Sequence, residues 1–262
     1  MPCGGGCGEV DNWFVRQTGT TRRPVTLQAD LLGAVGSRRG AEAADRLCDA
    51  VVVAFGVDAA AISLTVVNAM IPVRALGASG DLARRYEELH FTCGEGPCWE
   101  CAARGVTVGC GDLADRSNVS RWPGYGPALL AHRIRAVYAV PVTVAGQCVG
   151  VLSLFDHDPN SMSAGQLVVA RDAAAVAVLP VLDVRDIDLH AAVEDPDSAA
   201  WAALDLLCRA EINQAVGMLT VQLKVGPVDA LIRLRAHAYL SGHTATEVAC
   251  DILAYRLRLT TE

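Results

Sequence analysis

Two apolar periods divide this chain. Between Leu27 and Val181, short β-branched runs alternate with helical segments, whereas from Arg209 to Arg258 only the helical period remains. Leu31, Leu32 and Val35, then Leu47, Val51 and Phe55, are helical anchors, and Gly33, Gly36 and Gly40 are placed to split Leu27–Phe55 in two. Ala59–Val67 and Ile71–Leu76 are β-branched runs around Asn68-Ala69-Met70, which predicts a hairpin. A charged helix follows over Asp81–Glu88. Gly94-Glu95-Gly96-Pro97-Cys98 is a loop leading into a short helix, Trp99–Arg104, and then a short strand, Val106–Val108. Asp112–Pro127 reads as a long loop. Ile134–Val144 and Gln147–Phe155 form a second hairpin about Ala145-Gly146, and Ser163–Val181 is an Ala-rich helix. Hairpins interleaved with helices predict an α+β domain with an antiparallel sheet.

The C-terminal segment predicts three short amphipathic helices. Ile212, Ala215, Leu219 and Leu223 make one apolar face; Ala230, Leu231, Leu234 and Ala238 a second; Ala245, Val248, Ile252 and Leu253 a third. Val225-Gly226-Pro227 separates the first two, because glycine ends helices and proline starts them. Ser241-Gly242-His243-Thr244 separates the second pair, and Thr244 followed by Glu247 has capping-box spacing. The whole is an all-α three-helix bundle.

With 262 residues, 52% of them apolar, the chain has room for two ordinary domains with sizeable cores. Its single lysine, Lys224, among 22 basic residues is the composition of a GC-rich bacterial genome. Residues 1–24 are Gly-, Thr- and Arg-rich, lack the apolar stretch of a signal peptide, and are expected to be a disordered tail. The longest apolar run, Ala173–Leu182, is about ten residues and too short to span a bilayer. A cytoplasmic protein with no membrane partner is expected. Ten cysteines in a reducing compartment are thiols unless metal or redox chemistry uses them. No Ser-His-Asp set, P-loop or His-Glu-x-x-His helix is present, so no catalytic residues are assigned.

The C-terminal pattern resembles the ANTAR domain, on Arg209, Ile212, Gln214-Ala215-Val216-Gly217-Met218-Leu219, Gly226, Ala230, Leu234-Arg235 and Val248-Ala249. The resemblance implies an RNA-binding bundle over residues 204–262 that grips paired stem-loops in nascent mRNA and promotes antitermination. Arg209, Gln214, Ala215, Gly217, Lys224, Arg233 and Arg235 are its candidate RNA residues. Val216 stands where the family usually carries a lysine, which removes one phosphate contact. Residues 201–262 hold six Arg/Lys and six Asp/Glu, and the whole chain is at −7, so charge lends the RNA reading no support. Arg233, with Asp229 four residues before it, also fits a surface ion pair, and Gly217 a close approach either to a bundle partner or to RNA.

The preceding region resembles the GAF domain, on Gly94–Cys98, Ala102, Gly105-Val106, Asp112-Leu113, Arg121-Trp122-Pro123, Pro141 and Gly150-Val151-Leu152. That resemblance implies a sensor domain over residues 25–183, a central antiparallel sheet flanked by helices, joined to the bundle by a linker over 184–203. GAF domains bind small ligands or dimerise, so a homodimer and a small-molecule ligand are expected partners beside RNA stem-loops. Cys98, Trp122 and Asp112 are the candidate sensing residues. Trp122 equally suits a packing anchor. No cofactor is named: the Asn-Lys motif of cyclic-nucleotide GAF domains, the Cys-His of bilin-binding ones and the Cys-x-x-Cys-His of c-type haem are all absent.

Cysteine spacing leaves alternatives open. Cys93-x4-Cys98-x2-Cys101 has the first spacings of a plant-type iron–sulfur site, with Cys110 or Cys148 as a fourth ligand, and equally suits buried apolar thiols. Cys3 and Cys7 lie in the Gly-rich tail. No metal ligands are assigned. Two rivals to the RNA reading stand: a GAF-fold thiol or metal redox sensor or methionine sulfoxide reductase, using Cys93, Cys98 and Cys101, and a dimerising interaction protein whose bundle has lost RNA affinity.

Overall fold

The computed structural model describes residues 24–66, 71–185 and 209–260. Residues 1–23 of the expected tail, residues 68–70 of the expected turn, almost all of the expected linker, and Cys3 and Cys7 lie outside them. Five strands, β1 (Ala59–Val66), β2 (Ile71–Ala78), β3 (Val108–Cys110), β4 (Ala136–Val144) and β5 (Gln147–Asp156), form one antiparallel sheet in the order β2-β1-β5-β4-β3. Each hairpin pairs locally, and β1 joins β5 to close the centre, Ile62 opposite Leu152.

Both faces of the sheet are covered, so its central strands are apolar on both sides rather than alternating with polar residues. Ala60, Ile62 and Leu64 face one core with Ala136, Tyr138, Val140, Leu152 and Leu154. Helices α1 (Pro24–Val35), α2 (Gly40–Phe55), α7 (Ala164–Val176) and α8 (Val178–Arg185) complete that layer. Ala59, Ala61, Val137, Ala139, Val151 and Phe155 face the other core. There α3 (Asp81–Cys93), α4 (Pro97–Arg104), α5 (Arg116–Arg121) and α6 (Tyr125–Ala131) lie against the sheet or its edge. Ala164–Asp183 is long and apolar enough to cross a membrane by length and composition, yet Ala170, Ala173, Ala174 and Val181 on it are buried in the first core.

Several expected boundaries move. The long helix does split, at Gly36. The short strand sits two residues later, at Val108–Cys110, because there it pairs with Val137–Ala139 and turns Val108 and Cys110 inward. Asp112–Pro127 is not one loop: it contains α5 and the start of α6, whose first backbone N–H groups, Gly124 and Tyr125, donate to Glu95 Oε1 at 2.6 and 2.8 Å. The Ala-rich helix is two helices, α7 capped by a Ser163–Gln166 box and α8 reaching Arg185. The charged helix runs on past Glu88 to Cys93, for a reason given below.

The C-terminal helices are α9 (Ala210–Leu223), α10 (Pro227–Ser241) and α11 (Ala245–Leu253). They share a core of Ile212, Ala215, Leu219, Leu223, Ala230, Leu234, Ala238, Ala245, Val248, Ala249 and Ile252. Leu231 and Leu253 are only half-buried at its edge. The capping box forms as the spacing predicts: Thr244 Oγ1 accepts from the Glu247 N–H at 3.2 Å, and the Thr244 N–H donates to Glu247 Oε2 at 2.6 Å.

Candidate functional site

Helix α3 is the structural centre of the molecule because it is buried on both sides. One side carries Tyr86, Glu87, Leu89 and His90 toward the sheet, and the other carries Arg85, Glu88, Phe91 and Thr92 toward the C-terminal bundle. Residues one turn apart share a face, so each set recurs at three- and four-residue steps.

On the inner side five polar side chains meet in the core. Cys98, at the start of α4, donates from Sγ to Glu87 Oε1 at 3.3 Å and lies 3.4 Å from Ser63 Oγ on β1. His90 Nε2 is 2.9 Å from the Tyr125 hydroxyl and 3.7 Å from Glu87 Oε2. The Tyr125 ring stacks on the imidazole at 4.2 Å between centroids. His90 Nδ1 faces the Glu95 carbonyl at 3.4 Å, so the tautomer that satisfies both contacts carries its proton on Nδ1. Burial pushes the His90 pKa down against the pull of Glu87 and keeps the ring neutral. Glu87 Oε2 is buried and has no hydrogen bond. The loop Gly94–Pro97 closes over this cluster. Gly96 has φ +120°, and a Cβ there would fall 2.5 Å from His90 Nδ1, so no other residue allows the ring to sit where it does.

On the outer side α3 holds the bundle. Arg209, just before α9, donates from Nη1 to both oxygens of Glu88, at 3.2 and 3.0 Å, and Thr246 Oγ1 donates to Glu88 Oε2 at 2.9 Å. The Arg209 and Arg235 guanidinium carbons lie over the Phe91 ring, 3.9 and 4.2 Å from its centroid. The Ala245 N–H donates to Thr92 Oγ1 at 3.0 Å. Arg85 donates to Glu247 Oε1 and to the Gly242 carbonyl, both at 2.8 Å. Burial and the neighbouring Arg209 both lower the Arg235 pKa. A cleft of about 360 Å³ opens beside this joint, with Cys93, Glu95 and Gly124 on one wall and Ile232, Arg235 and Tyr239 on the other.

The joint carries its own pH dependence. Burial alone would raise the Glu247 carboxyl, but the Thr244 N–H and the Arg85 guanidinium outweigh it and hold the group below its ordinary value. A depressed carboxylate contributes in full above the ordinary range near ~4.3, and its contribution is lost as pH falls through the lowered value. Acidification below about pH 4 should therefore loosen α11 from α3. Limited proteolysis across a pH series with an acid-tolerant protease checks this; Glu247→Gln should abolish the pH step at the joint.

The sequence-predicted residues fall into separate places. Cys98 belongs to the buried cluster. Trp122 is 2% exposed, donates from Nε1 to Glu100 at 2.9 Å and lies under Arg121, so it anchors the loop. Asp112 accepts from Arg135 Nε at 2.8 Å, which holds its carboxyl below the usual range, and from the Ala114 N–H at 2.9 Å. Neither shares a hydrogen bond with Cys98. Of the bundle residues, Arg209 and Arg235 are at the joint, Ala215 is in the core, and Gln214, Gly217, Lys224 and Arg233 are exposed. A Cβ on Gly217 would meet nothing within 4 Å, so the bundle itself does not need glycine there. Val216 is half-buried at the edge of the bundle core. Glu87, Glu88, His90 and Phe91 were not singled out from sequence.

Residues 40–178, more than half of the chain, match the GAF domain family. The chain belongs to that family. The GAF domain is similar in structure to the free methionine-R-sulfoxide reductase of Neisseria meningitidis in complex with its substrate, at 17% identity and TM-score 0.41 over 58% of this chain and 82% of that one. It is also similar to the GAF domain of an Acinetobacter phosphoenolpyruvate-protein phosphotransferase, at 14% identity and TM-score 0.44 over 61% and 95% of the two chains. A third is the A. aeolicus nlh2 GAF domain in an inactive state, at 15% identity and TM-score 0.44 over 62% and 97%. None is close enough to carry an argument about ligand or activity. No curated protein matches the chain.

Burial disfavours the thiolate form at four thiols of this GAF domain. Burial pushes Cys98 and Cys101 well up, Cys93 up to about 12 and Cys110 to about 11. Reactive cysteines need the opposite shift. Cys93, Cys98 and Cys101 also face different surroundings: the cleft, the Glu87 cluster, and a core position beside Cys148.

Proposed function

We propose that this chain is a cytoplasmic, signal-responsive regulator in which a GAF sensor holds an ANTAR-type RNA-binding bundle and releases it on a signal. The released bundle binds stem-loops in nascent mRNA and so prevents terminator formation. The observation that carries the reading is the joint on α3: Arg209 and Arg235, two cations that the ANTAR resemblance directs to RNA, are laid on Phe91 of the sensor. In the docked state they are withheld from phosphate, while Gln214, Gly217, Lys224 and Arg233 stay on solvent. The signal is a small molecule entering the cleft between Glu95 and Arg235, where it would compete for the joint. The protein acts without catalysis, in keeping with its raised thiols. It acts as a homodimer, since a neutral bundle gains RNA affinity chiefly through the effective concentration of a second copy. Sedimentation that shows a monomer with and without RNA would remove that part.

The test is a titration of the purified chain and of Glu88→Ala, in which the bundle is undocked, against a tandem stem-loop RNA and a single-stem control at two salt concentrations. Selective binding that weakens steeply with salt is expected, tighter for the variant. No binding by the undocked, folded variant would sink the RNA reading. Gly217→Ala supplies a second arm. With open space around it, the methyl should stabilise the bundle by about 0.5–1 kcal/mol through helix propensity, measured by denaturant unfolding. RNA affinity should fall, because a side chain now stands on the contacting face. Affinity that rises with stability would remove Gly217 from that face.

A further inference from the structure

The Glu87 carboxylate is under-satisfied in the GAF core. One oxygen accepts only a thiol hydrogen bond, the other has none, and the residue is 4% exposed. Buried carboxylates in proteins are paired with a cation or coordinate a metal. Among the described residues the one basic side chain within 4 Å of it is the His90 imidazole, at 3.7 Å, and that ring is neutral. Cys98 completes a trio: one ligand atom each from Glu87, His90 and Cys98 lies within 4.8 Å of the other two, all three residues buried. Three donors on a common ion at tetrahedral Zn–S, Zn–N and Zn–O lengths stand roughly 3.3–3.6 Å apart. Cys98 Sγ stands 3.3 Å from Glu87 Oε1 and His90 Nε2 3.7 Å from Glu87 Oε2, so the two ligands flank the carboxylate at nearly that spacing, one on each oxygen.

We infer that Glu87, His90 and Cys98 form a binding site for one divalent transition-metal ion of borderline softness, of which Zn²⁺ is the type. Thiolate, imidazole and carboxylate are the donor set such an ion takes. A neutral imidazole with two anionic ligands also cancels its 2+ charge, so the occupied core carries no net charge. Binding replaces the Cys98 S–H bond by a sulfur–metal bond, and the thiol proton leaves to solvent. The supporting contacts are in place. Nδ1 of His90 faces the Glu95 carbonyl, the arrangement that orients a ligating histidine. Ser63 Oγ is at hand to donate to the thiolate, and the Tyr125 hydroxyl, which donates to Nε2, gives up that lone pair to the ion when it binds. Gly96 packs against His90, and its neighbour Glu95 lines the cleft with Cys93 and Gly124.

The site is tested on the full chain, stripped of metal and titrated with Co²⁺. A thiolate-to-cobalt charge-transfer band should grow to one equivalent with release of a proton, and Zn²⁺ should displace it. Glu87→Gln should weaken binding at least tenfold, about what even an outer-shell loss costs, and Cys98→Ser should abolish the band. Cys101→Ser, a neighbouring core thiol, should leave it unchanged. A band that survives Cys98→Ser, or none at all, overturns the site. X-ray absorption of the Zn²⁺-loaded unsubstituted chain tests it without relying on the folding of any variant. One sulfur with nitrogen and oxygen neighbours is expected; two or more sulfurs, or none, would place the ion elsewhere.

Discussion

Glu88→Ala should free the C-terminal bundle from the sensor while leaving both folded. Glu88 and Arg209 form a pair 3.0 Å apart, with side chains 10% and 8% exposed. Breaking such a pair from one side strands the other charge in the interface, at a cost of about 3–5 kcal/mol. Thr246 Oγ1 loses its acceptor at the same stroke. The docked-to-undocked ratio should fall by more than about 100-fold. Unfolding is not the expected outcome, because the bundle core is drawn from α9, α10 and α11 and borrows only Phe91 from the sensor. Native-state hydrogen exchange should show faster exchange at Phe91–Gly94 and at Ala245, whose N–H is held by Thr92, with α9 protected as before. Glu88→Gln should do much less, since an amide oxygen still accepts from Arg209. Removing both partners, as in Glu88→Ala with Arg209→Met, should cost less than the sum of the single changes, because no charge is left unpaired. Unchanged exchange in Glu88→Ala would mean that the Phe91 stack and the Arg85 contacts hold the joint alone.

Helix α3 shows where the sequence could be read and where it could not. The sheet, its two hairpins and the three C-terminal helices follow from apolar period, because each buries a plain hydrophobic face. Helix α3 buries Glu87, Glu88 and His90 instead, so its pattern resembles a solvated helix that stops at Glu88. Only the placement of the bundle explains why Glu88 is inside. The same blindness hid most of the candidate site. Cys98 was legible through the Gly-Glu-Gly-Pro-Cys loop, but its partners Glu87 and His90 were not. The available signal was their three-residue spacing, which sets a carboxylate and an imidazole on one helical face. Trp122 and Asp112 were drawn to the sensing site by their motifs, yet each is engaged by Glu100 or Arg135. Arg209 and Arg235 have the chemistry of surface cations. What turns them inward is one aromatic ring more than a hundred residues away, a pairing that no local pattern encodes.

Gly77→Ala should be the most damaging single-methyl change in the sensor. Strand β2 crosses α2 at Gly77 with no room between the backbones: an added Cβ would lie 2.5 Å from both Ala44 C and Ala44 Cβ, and 2.6 Å from Asp45 N. A flexible side chain could yield; a helical backbone cannot. Helix α2 is further pinned to β2 by Asp45, whose Oδ1 accepts from the Ala78 N–H at 2.8 Å and from Arg84 at 3.1 Å. Its other face is committed to the core through Leu47, Cys48 and Val51, each fully buried. Overpacking a core by one methyl costs about 1–3 kcal/mol where side chains can move, and more where they cannot. A loss of about 3 kcal/mol or more is expected here. At roughly 2–4 °C per kcal/mol for a domain of this size, the melting temperature should fall by about 6–12 °C. The effect should be confined to the sensor, with the bundle transition unmoved when the two are followed separately. Gly217→Ala is the control for glycine chemistry as such, since its Cβ enters open space and the sign reverses. A Gly77→Ala protein that melts with the unsubstituted chain would mean that α2 slides outward at little cost, taking its Asp45 tether to Ala78 with it.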